Sequence, residues 1–545
     1  MDFARIAALV TAFALAVPAL AQNESPPQTP PRLVVAISVD QLGADLFAQY
    51  RRHFTGGFAR LLEGAVFPSG YQAHAATETC PGHSTILTGA HPARSGIVAN
   101  RWHDLDVARD DVRVYCAEDE TVAGSSASDY TPSAMHLLVP TLGDLMKRAN
   151  PASRVVAVAG KDRSAIMMGG HNADFAYWPG SAGFESYANA TPTAALAGIN
   201  ELTVAAATEP RAAREVPAIC APYNRAIPIG EGQSVGTGRF ARERGSARAL
   251  MASPDADALT LAFAGELVAE LGLGQGEAPD LLAVGLAATD YIGHSYGTEG
   301  VEMCVQMIAL DGLLGEFFAG LDARGISYAV VLTADHGGLD LPERQIAQGA
   351  PDAARLTADF VAIAGEIAEA SGLPAPVIRA DGPFGDFYID RSVPEERRAE
   401  IRDRAVAALT AHPQVYRVYA REEIMAQPVT DAPPEHWTVL DRVRASFHPD
   451  RSGDFVVVLQ PRVTPIVDPI GSGYVATHGS VWDYDRRVPV VFWWNGARHF
   501  EQPLGVMTVD IMPTLASLIG LDISAVEIDG RCLDVMAGLT ETNCP

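Results

Sequence analysis

Basic side chains are scarce in this chain. Lys and Arg number 40 against 66 Asp and Glu in 545 residues, a formal charge of −26 with His neutral. The sequence pI is near 4.9. Such a surface repels nucleic acid and anionic membranes, so neither is expected as a partner. Beyond the N-terminus no uninterrupted apolar run reaches the ~20 residues of a membrane-spanning helix, and no internal repeat is apparent. Charged residues are only 19% and apolar ones 48%, the balance of a globular rather than a disordered chain.

Cysteine is also sparse, with six residues in the whole chain. Cys532 and Cys544 are expected to clamp the C-terminus, and Cys116–Cys220 is a second, weaker pairing. Cys80 reads as structural and Cys304, inside an apolar helical pattern, as a buried thiol. An oxidising compartment is expected from the N-terminus itself. Arg5, an apolar stretch and the small-x-small site Ala19-Leu20-Ala21 form a signal peptide over residues 1–21, followed by a Pro-rich spacer. The mature protein is then periplasmic or secreted.

Apolar runs of strand length alternate with helical patterns through most of the chain. Residues 32–40, 154–160, 280–290, 328–335 and 488–494 are the runs; 141–149 and 302–325 show apolar residues at helical spacing. This alternation predicts an α/β fold, a three-layer αβα sandwich around a mostly parallel sheet. Residues 376–475 differ, with short strands around a charged helix, and read as an inserted α+β subdomain. The catalytic domain is then 22–375 and 476–545. Residues 181–250 are Ala- and Gly-rich without a clear period and are expected to be a loop-rich excursion.

Three of the apolar runs end on aspartates: LVVAISVD at Asp40, LLAVGLAATDYIGH with Asp290 and His294, and YAVVLTADHGG with Asp335 and His336. Strands buried on both faces read this way, and ligands gather past their carboxyl ends. Asp with His is the ligand mixture that suits zinc. His478, in ATHGS, is a further candidate. Any one of these taken alone is better read as a cap or a hydrogen-bonded structural residue; their combination points to a metal centre with ligands for two ions. Thr79 precedes Pro81-Gly82, a turn into a helix whose free N–H groups favour negative charge. Without the aspartates it would read as an ordinary N-cap.

Asp40, TETCPGHST, GxxxNRW, AGKDRSA, TDYIGH, TADHGG and THGS…YDRRVPV stand in the order used by the alkaline phosphatase superfamily. The chain resembles the bacterial branch with a threonine nucleophile and a Lys-x-Arg pair, over roughly residues 32–180, 280–345 and 470–520. The resemblance implies two Zn²⁺ per chain, one held by Asp290, His294 and His478, the other by Asp40, Asp335 and His336 with Thr79 as the bound nucleophile. It implies that Asn100, Lys161 and Arg163 hold the phosphate oxygens, and His83 is expected to prop the nucleophile loop. Two zinc ions with Lys161 and Arg163 outweigh three carboxylates and a Thr79 alkoxide by two positive charges, which matches a monoester dianion. The expected activity is hydrolysis of small-molecule phosphate monoesters through a phosphothreonine, broad in substrate, with weak diesterase activity, by a monomer. A nucleotide phosphodiesterase of the same superfamily is the alternative, and a non-catalytic phosphate- or zinc-binding protein the second.

Overall fold

The computed structural model describes residues 30–536 and 542–545. The expected signal peptide lies outside the described residues. A ten-stranded sheet forms the centre, in the order Phe500–Glu501, Ala65–Tyr71, Arg487–Trp494, Tyr328–Thr333, Leu33–Val39, Asp280–Leu286, Val155–Ala159, Phe175–Gly180 and Gly183–Glu185. Val506–Met507 pairs with Ala65–Tyr71 off this path. The middle of the sheet is parallel, from Tyr328–Thr333 through Leu33–Val39, Asp280–Leu286 and Val155–Ala159 to Phe175–Gly180. Arg487–Trp494 runs antiparallel to both of its neighbours.

Continuous apolar runs are explained by two cores. Val35, Ile37 and Val39 belong to one buried cluster, whereas Val34 and Ala36 belong to another. Alternate side chains of one strand therefore face helical layers on opposite sides of the sheet. The α/β expectation holds in this form.

Helix Val301–Ala323 corrects the reading that no later segment is long and apolar enough to cross a membrane; by length and composition it is. Its burial has another cause. Leu310, Leu314, Phe318 and Leu321 sit in the first core cluster. Asp311, from the same helix, accepts hydrogen bonds from the N–H groups of Thr55, Gly56 and Phe58 at 2.7–2.9 Å. A second correction concerns residues 181–250, which contain the 15-residue helix Ala194–Thr208. Its Ala-rich run has high helix propensity but only Ile199 is buried, so no apolar stripe betrayed it.

Within residues 376–475 a separate antiparallel sheet runs in the order Ile378–Arg379, Gly385–Ile389, Phe455–Leu459, Val415–Ala420. Helix Glu395–Thr410 packs Ile401, Ala405 and Leu409 into its own cluster with Phe387, Val457 and Leu459. Val456 and Val458, on the other face of the same strand, join Ala75, Phe447 and Val481. We propose that this sheet and its helix form the inserted subdomain.

Three disulfides join Cys80–Cys116, Cys220–Cys304 and Cys532–Cys544. The C-terminal clamp matches expectation; Cys116–Cys220 does not form, and Cys304 is no free thiol. Cys116 instead lies beside the residues that carry Thr79, because its N–H donates to the Asn100 carbonyl. Sequence separations of 84 and 12 residues give the two other bridges different weights. Chain-entropy arguments assign about 4–5 kcal/mol to the longer loop and about 3 kcal/mol to the shorter. Replacing Cys220 and Cys304 by Ala is therefore expected to lower the urea midpoint more than replacing Cys532 and Cys544. Equal midpoints would remove the loop-length argument.

Candidate metal and phosphate site

Asp40 follows directly on the central strand Leu33–Val39, and Asp335 lies two residues beyond its parallel neighbour Tyr328–Thr333. Both carboxylates thus leave the same edge of the sheet. Asp290 departs from expectation, since it ends no strand. The strand stops at Leu286, and Asp290 occupies the first turn of helix Ala288–Tyr296, with His294 in its last turn. The i, i+4 spacing puts both on one helix face, which a turn would not guarantee. Gln41 joins these pieces. Its backbone has φ 65°, and its N–H donates to Asp335 Oδ1 at 3.1 Å. The side-chain amide donates to Asp290 Oδ1 at 3.3 Å. A Cβ on Gly293 would stand 1.6 Å from Gln41 Oε1, so a larger residue there would push this side chain off Asp290.

The histidines are oriented from behind. Nδ1 of His294 faces the Ala476 carbonyl at 2.9 Å, that of His336 the Gly337 carbonyl at 2.8 Å, and that of His478 the Thr77 carbonyl at 2.8 Å. A carbonyl only accepts, so each Nδ1 carries a proton, and in the neutral ring each Nε2 presents a lone pair. Those lone pairs point at carboxylates. Nε2 of His294 and of His478 each lie 3.3 Å from Asp290 Oδ1. Nε2 of His336 is 3.4 Å from Asp40 Oδ1 and 3.3 Å from Asp335 Oδ2. Lone pair against carboxylate is repulsive unless a cation lies between them, and backbone-anchored imidazole with carboxylate is how zinc is held. Asp40 Oδ1 and His336 Nε2 are buried without a hydrogen-bond partner. The donor atoms of Asp40, Asp335 and His336 lie within 4.8 Å of one another, as do those of Asp290, His336 and His478. His336 and His478 stack at 3.6 Å between ring centres, so the two groups are adjacent.

Charge states suit the same purpose at Asp290, Asp335 and His336, and run against it at His478 and Asp40. Burial would raise Asp290, but His294 and Lys161 hold it well below the usual carboxylate range. Asp335 is likewise held down against burial, by His336 and His83. Burial lowers His336 to about 3, keeping it neutral. Asp290 pulls His478 upward against its burial. Asp40 goes up, through burial and then the charges of Asp290 and Asp335.

Thr79 is the first residue of helix Thr79–Thr88, and the cap position belongs to Glu78. The ordinary N-cap reading is thereby removed. Its Oγ1 accepts from Lys161 Nζ at 3.4 Å and from Arg163 Nη2 at 3.5 Å. Lys161 caps helix Asp162–Gly169, which follows strand Val155–Ala159. Its ammonium is 2.6 Å from both Asp40 Oδ2 and Asp290 Oδ2, spanning the two carboxylate groups. Asp162 accepts from the Tyr115 and Tyr130 hydroxyls at 2.8–3.0 Å, which fixes the start of this helix. Asn100 Oδ1 accepts from the Cys80 N–H at 2.8 Å, so its NH₂ points elsewhere, while its own N–H donates to Glu78. A Cβ on Gly82 would lie 2.1 Å from the Asp335 carbonyl oxygen; glycine lets the nucleophile helix touch the strand end that supplies Asp335.

All seven expected metal-site residues and the three expected phosphate contacts fall in this one region. Sequence reasoning missed Gln41, Glu78 and Tyr291, whose ring lies 5.3 Å from Lys161 Nζ. Only Gln41, next to Asp40, carried a signal. His83 does contact the nucleophile turn, at Thr79 O, and also reaches Asp335 Oδ2 at 3.1 Å.

Residues 34–481 match the family model for type I phosphodiesterase / nucleotide pyrophosphatase. The chain is 52% identical over 515 residues to alkaline phosphatase PhoK of Sphingomonas sp, covering 94% of this chain and 92% of the relative. It is 46% identical over 522 residues to alkaline phosphatase PhoD of Zymomonas mobilis subsp. mobilis, covering 94% and 89%. The crystal structure of wild-type alkaline phosphatase PafA superposes with a TM-score of 0.79 at 25% identity, over 93% of this chain and 99% of that one.

Proposed function

For a chain that belongs to the type I phosphodiesterase / nucleotide pyrophosphatase family, in the alkaline phosphatase superfamily, we propose the following reaction. The protein is an alkaline phosphatase, a phosphoric monoester hydrolase, as its relatives at 46–52% identity are named. One observation carries the assignment to this site: the Thr79 hydroxyl sits between two cations, Lys161 and Arg163, beside converging histidine lone pairs and carboxylates.

Asp290, His294 and His478 hold one zinc, and Asp40, Asp335 and His336 hold the other with Thr79. Bound zinc supplies charge neutralisation for the attacking and leaving oxygens. Thr79 Oγ1 forms the bond to phosphorus as the alcohol leaves, giving a phosphothreonine that water then hydrolyses. Lys161, Arg163 and the Asn100 NH₂ hold the non-bridging oxygens, where charge accumulates, and the positive end of the dipole of helix Thr79–Thr88 favours the same anion. Gln41 keeps Asp290 and Asp335 in register. Residues 1–21 serve as a signal peptide and the enzyme works outside the cytoplasm; the three disulfides among the described residues support that reading.

The nucleotide phosphodiesterase alternative is decided at Lys161 and Arg163, which suit two bare oxygens and not an ester group. Replacing both by Ala is expected to lower kcat/KM for a monoester at least about 10²-fold more than for a diester with the same leaving group. Equal losses for the two would refute the monoester assignment. Phosphate or zinc binding by wild type with no turnover would favour the non-catalytic reading.

A further inference from the structure

Next to His478 the protein opens into a cavity of about 340 Å³, within the range of small-molecule sites, roughly 300–1,000 Å³. One wall is the loop Thr477–Ser480; the other comes from the separate antiparallel sheet, through Phe384, Tyr388, Val456 and Val458. Phe384 lies on the connection between strands Ile378–Arg379 and Gly385–Ile389. Its ring meets the backbone beside the histidine, because a Cβ on Gly479 would stand 2.8 Å from Phe384 Cζ and 3.8 Å from Glu78 Cγ. The ring, the loop that carries His478 and the carboxylate that holds Asn100 therefore share one surface. Carboxyl groups outnumber basic ones around the cavity: Glu78, Asp381, Asp386 and Asp485 against Arg101, His103 and His478.

In-line displacement directs the departing alcohol away from Thr79, toward the Asp290, His294 and His478 side of the site. His478 is the boundary between that side and the cavity. The aromatic and aliphatic walls favour an apolar leaving group over one that carries further phosphates. We propose that this cavity is the leaving-group subsite, that it takes the aromatic ring of an uncharged alcohol, and that Phe384 is its specificity-determining wall. The proposal rests on the phosphomonoesterase reading above and names the substrate class for it.

Benzyl phosphate and ethyl phosphate test it, since both release aliphatic alcohols of similar basicity and their kcat/KM ratio reports the ring. In the full-length, metal-loaded protein, Phe384→Ala is expected to lower the benzyl-to-ethyl ratio about tenfold, the scale of one apolar contact in a pocket. Competitive inhibition by benzylphosphonate should weaken by the same factor relative to ethylphosphonate, and Phe384→Tyr, which keeps a ring, should retain both preferences. An unchanged ratio in Phe384→Ala, or a loss common to both esters and both phosphonates, overturns the subsite. Failure of wild type to hydrolyse either ester, with benzylphosphonate still bound through Phe384, overturns the phosphatase reading and leaves the subsite standing.

Discussion

Thr79→Ala should reduce phosphate release from any monoester by at least about 10³-fold, the scale of losing a covalent nucleophile. Metal content should stay at the wild-type value. The reason lies in how many protein atoms serve each function. Among the described residues the Thr79 hydroxyl is the single side-chain oxygen that accepts from both Lys161 and Arg163, so no neighbouring side chain is placed to take over the attack. Ser84 and Thr85, further along the helix, are committed to the Pro81 and Gly82 carbonyls. Metal retention is expected because five of the six Asp and His donors are anchored independently of Thr79, through Gln41 and three backbone carbonyls, and Asp40 is paired with Lys161. Elemental analysis alongside single-turnover kinetics reads both quantities. Turnover surviving in Thr79→Ala would remove the nucleophile; loss of metal together with activity would recast Thr79 as chiefly a ligand. A Thr79→Ser variant, keeping the oxygen, is expected to retain measurable turnover and trap phosphate on residue 79.

Much of this site was legible because its chemistry sits at strand ends, where burial on both faces writes an uninterrupted apolar run before a charged residue. Asp40 and Asp335 were placed correctly on that ground. Asp290 was read at a strand end as well, and there the apolar run LLAVGLAATD misled: its last residues are small, equally suited to a helix, and the strand yields at Leu286. The histidines' roles rest on carbonyls of Thr77, Gly337 and Ala476, and backbone acceptors have no signature in side-chain pattern. Cys80–Cys116 was out of reach for a related reason. The pairing depends on the Asn100 turn bringing Cys116 back to the nucleophile helix, a contact set by hydrogen bonds between distant segments. Phe384 was hidden too, on a connection in a stretch that carried no motif.

Removing the metals is expected to stop turnover and to destabilise the fold together. Without divalent ions Asp40 and Asp290 have Lys161 as their close cation, at 2.6 Å from each, and the His336 lone pair faces Asp40 and Asp335. Buried like charges and unshared lone pairs of this kind raise the free energy of the folded state alone. A ligand bound only by the folded state and present at about 1,000 times its Kd adds about 4 kcal/mol, so chelation should lower Tm by several degrees. Activity should fall below about a thousandth and return with Zn²⁺ but not with Mg²⁺, because three imidazoles suit zinc and Mg²⁺ prefers oxygen donors. Acid should act in the same direction. Burial lowers His336 from 6.5 to about 3, so between those values the unfolded chain binds a proton that the folded chain refuses. Unfolding is then favoured as pH falls through that window, and stability recovers above pH 6.5. Protonation of the same nitrogen removes a donor from the site, which adds metal release to the loss of stability. Melting curves with and without chelator from pH 4 to 8, paired with metal analysis, test the whole chain of reasoning. Full activity in metal-free protein, or a Tm indifferent to chelation, would mean that these carboxylates and imidazoles are held together by something other than cations.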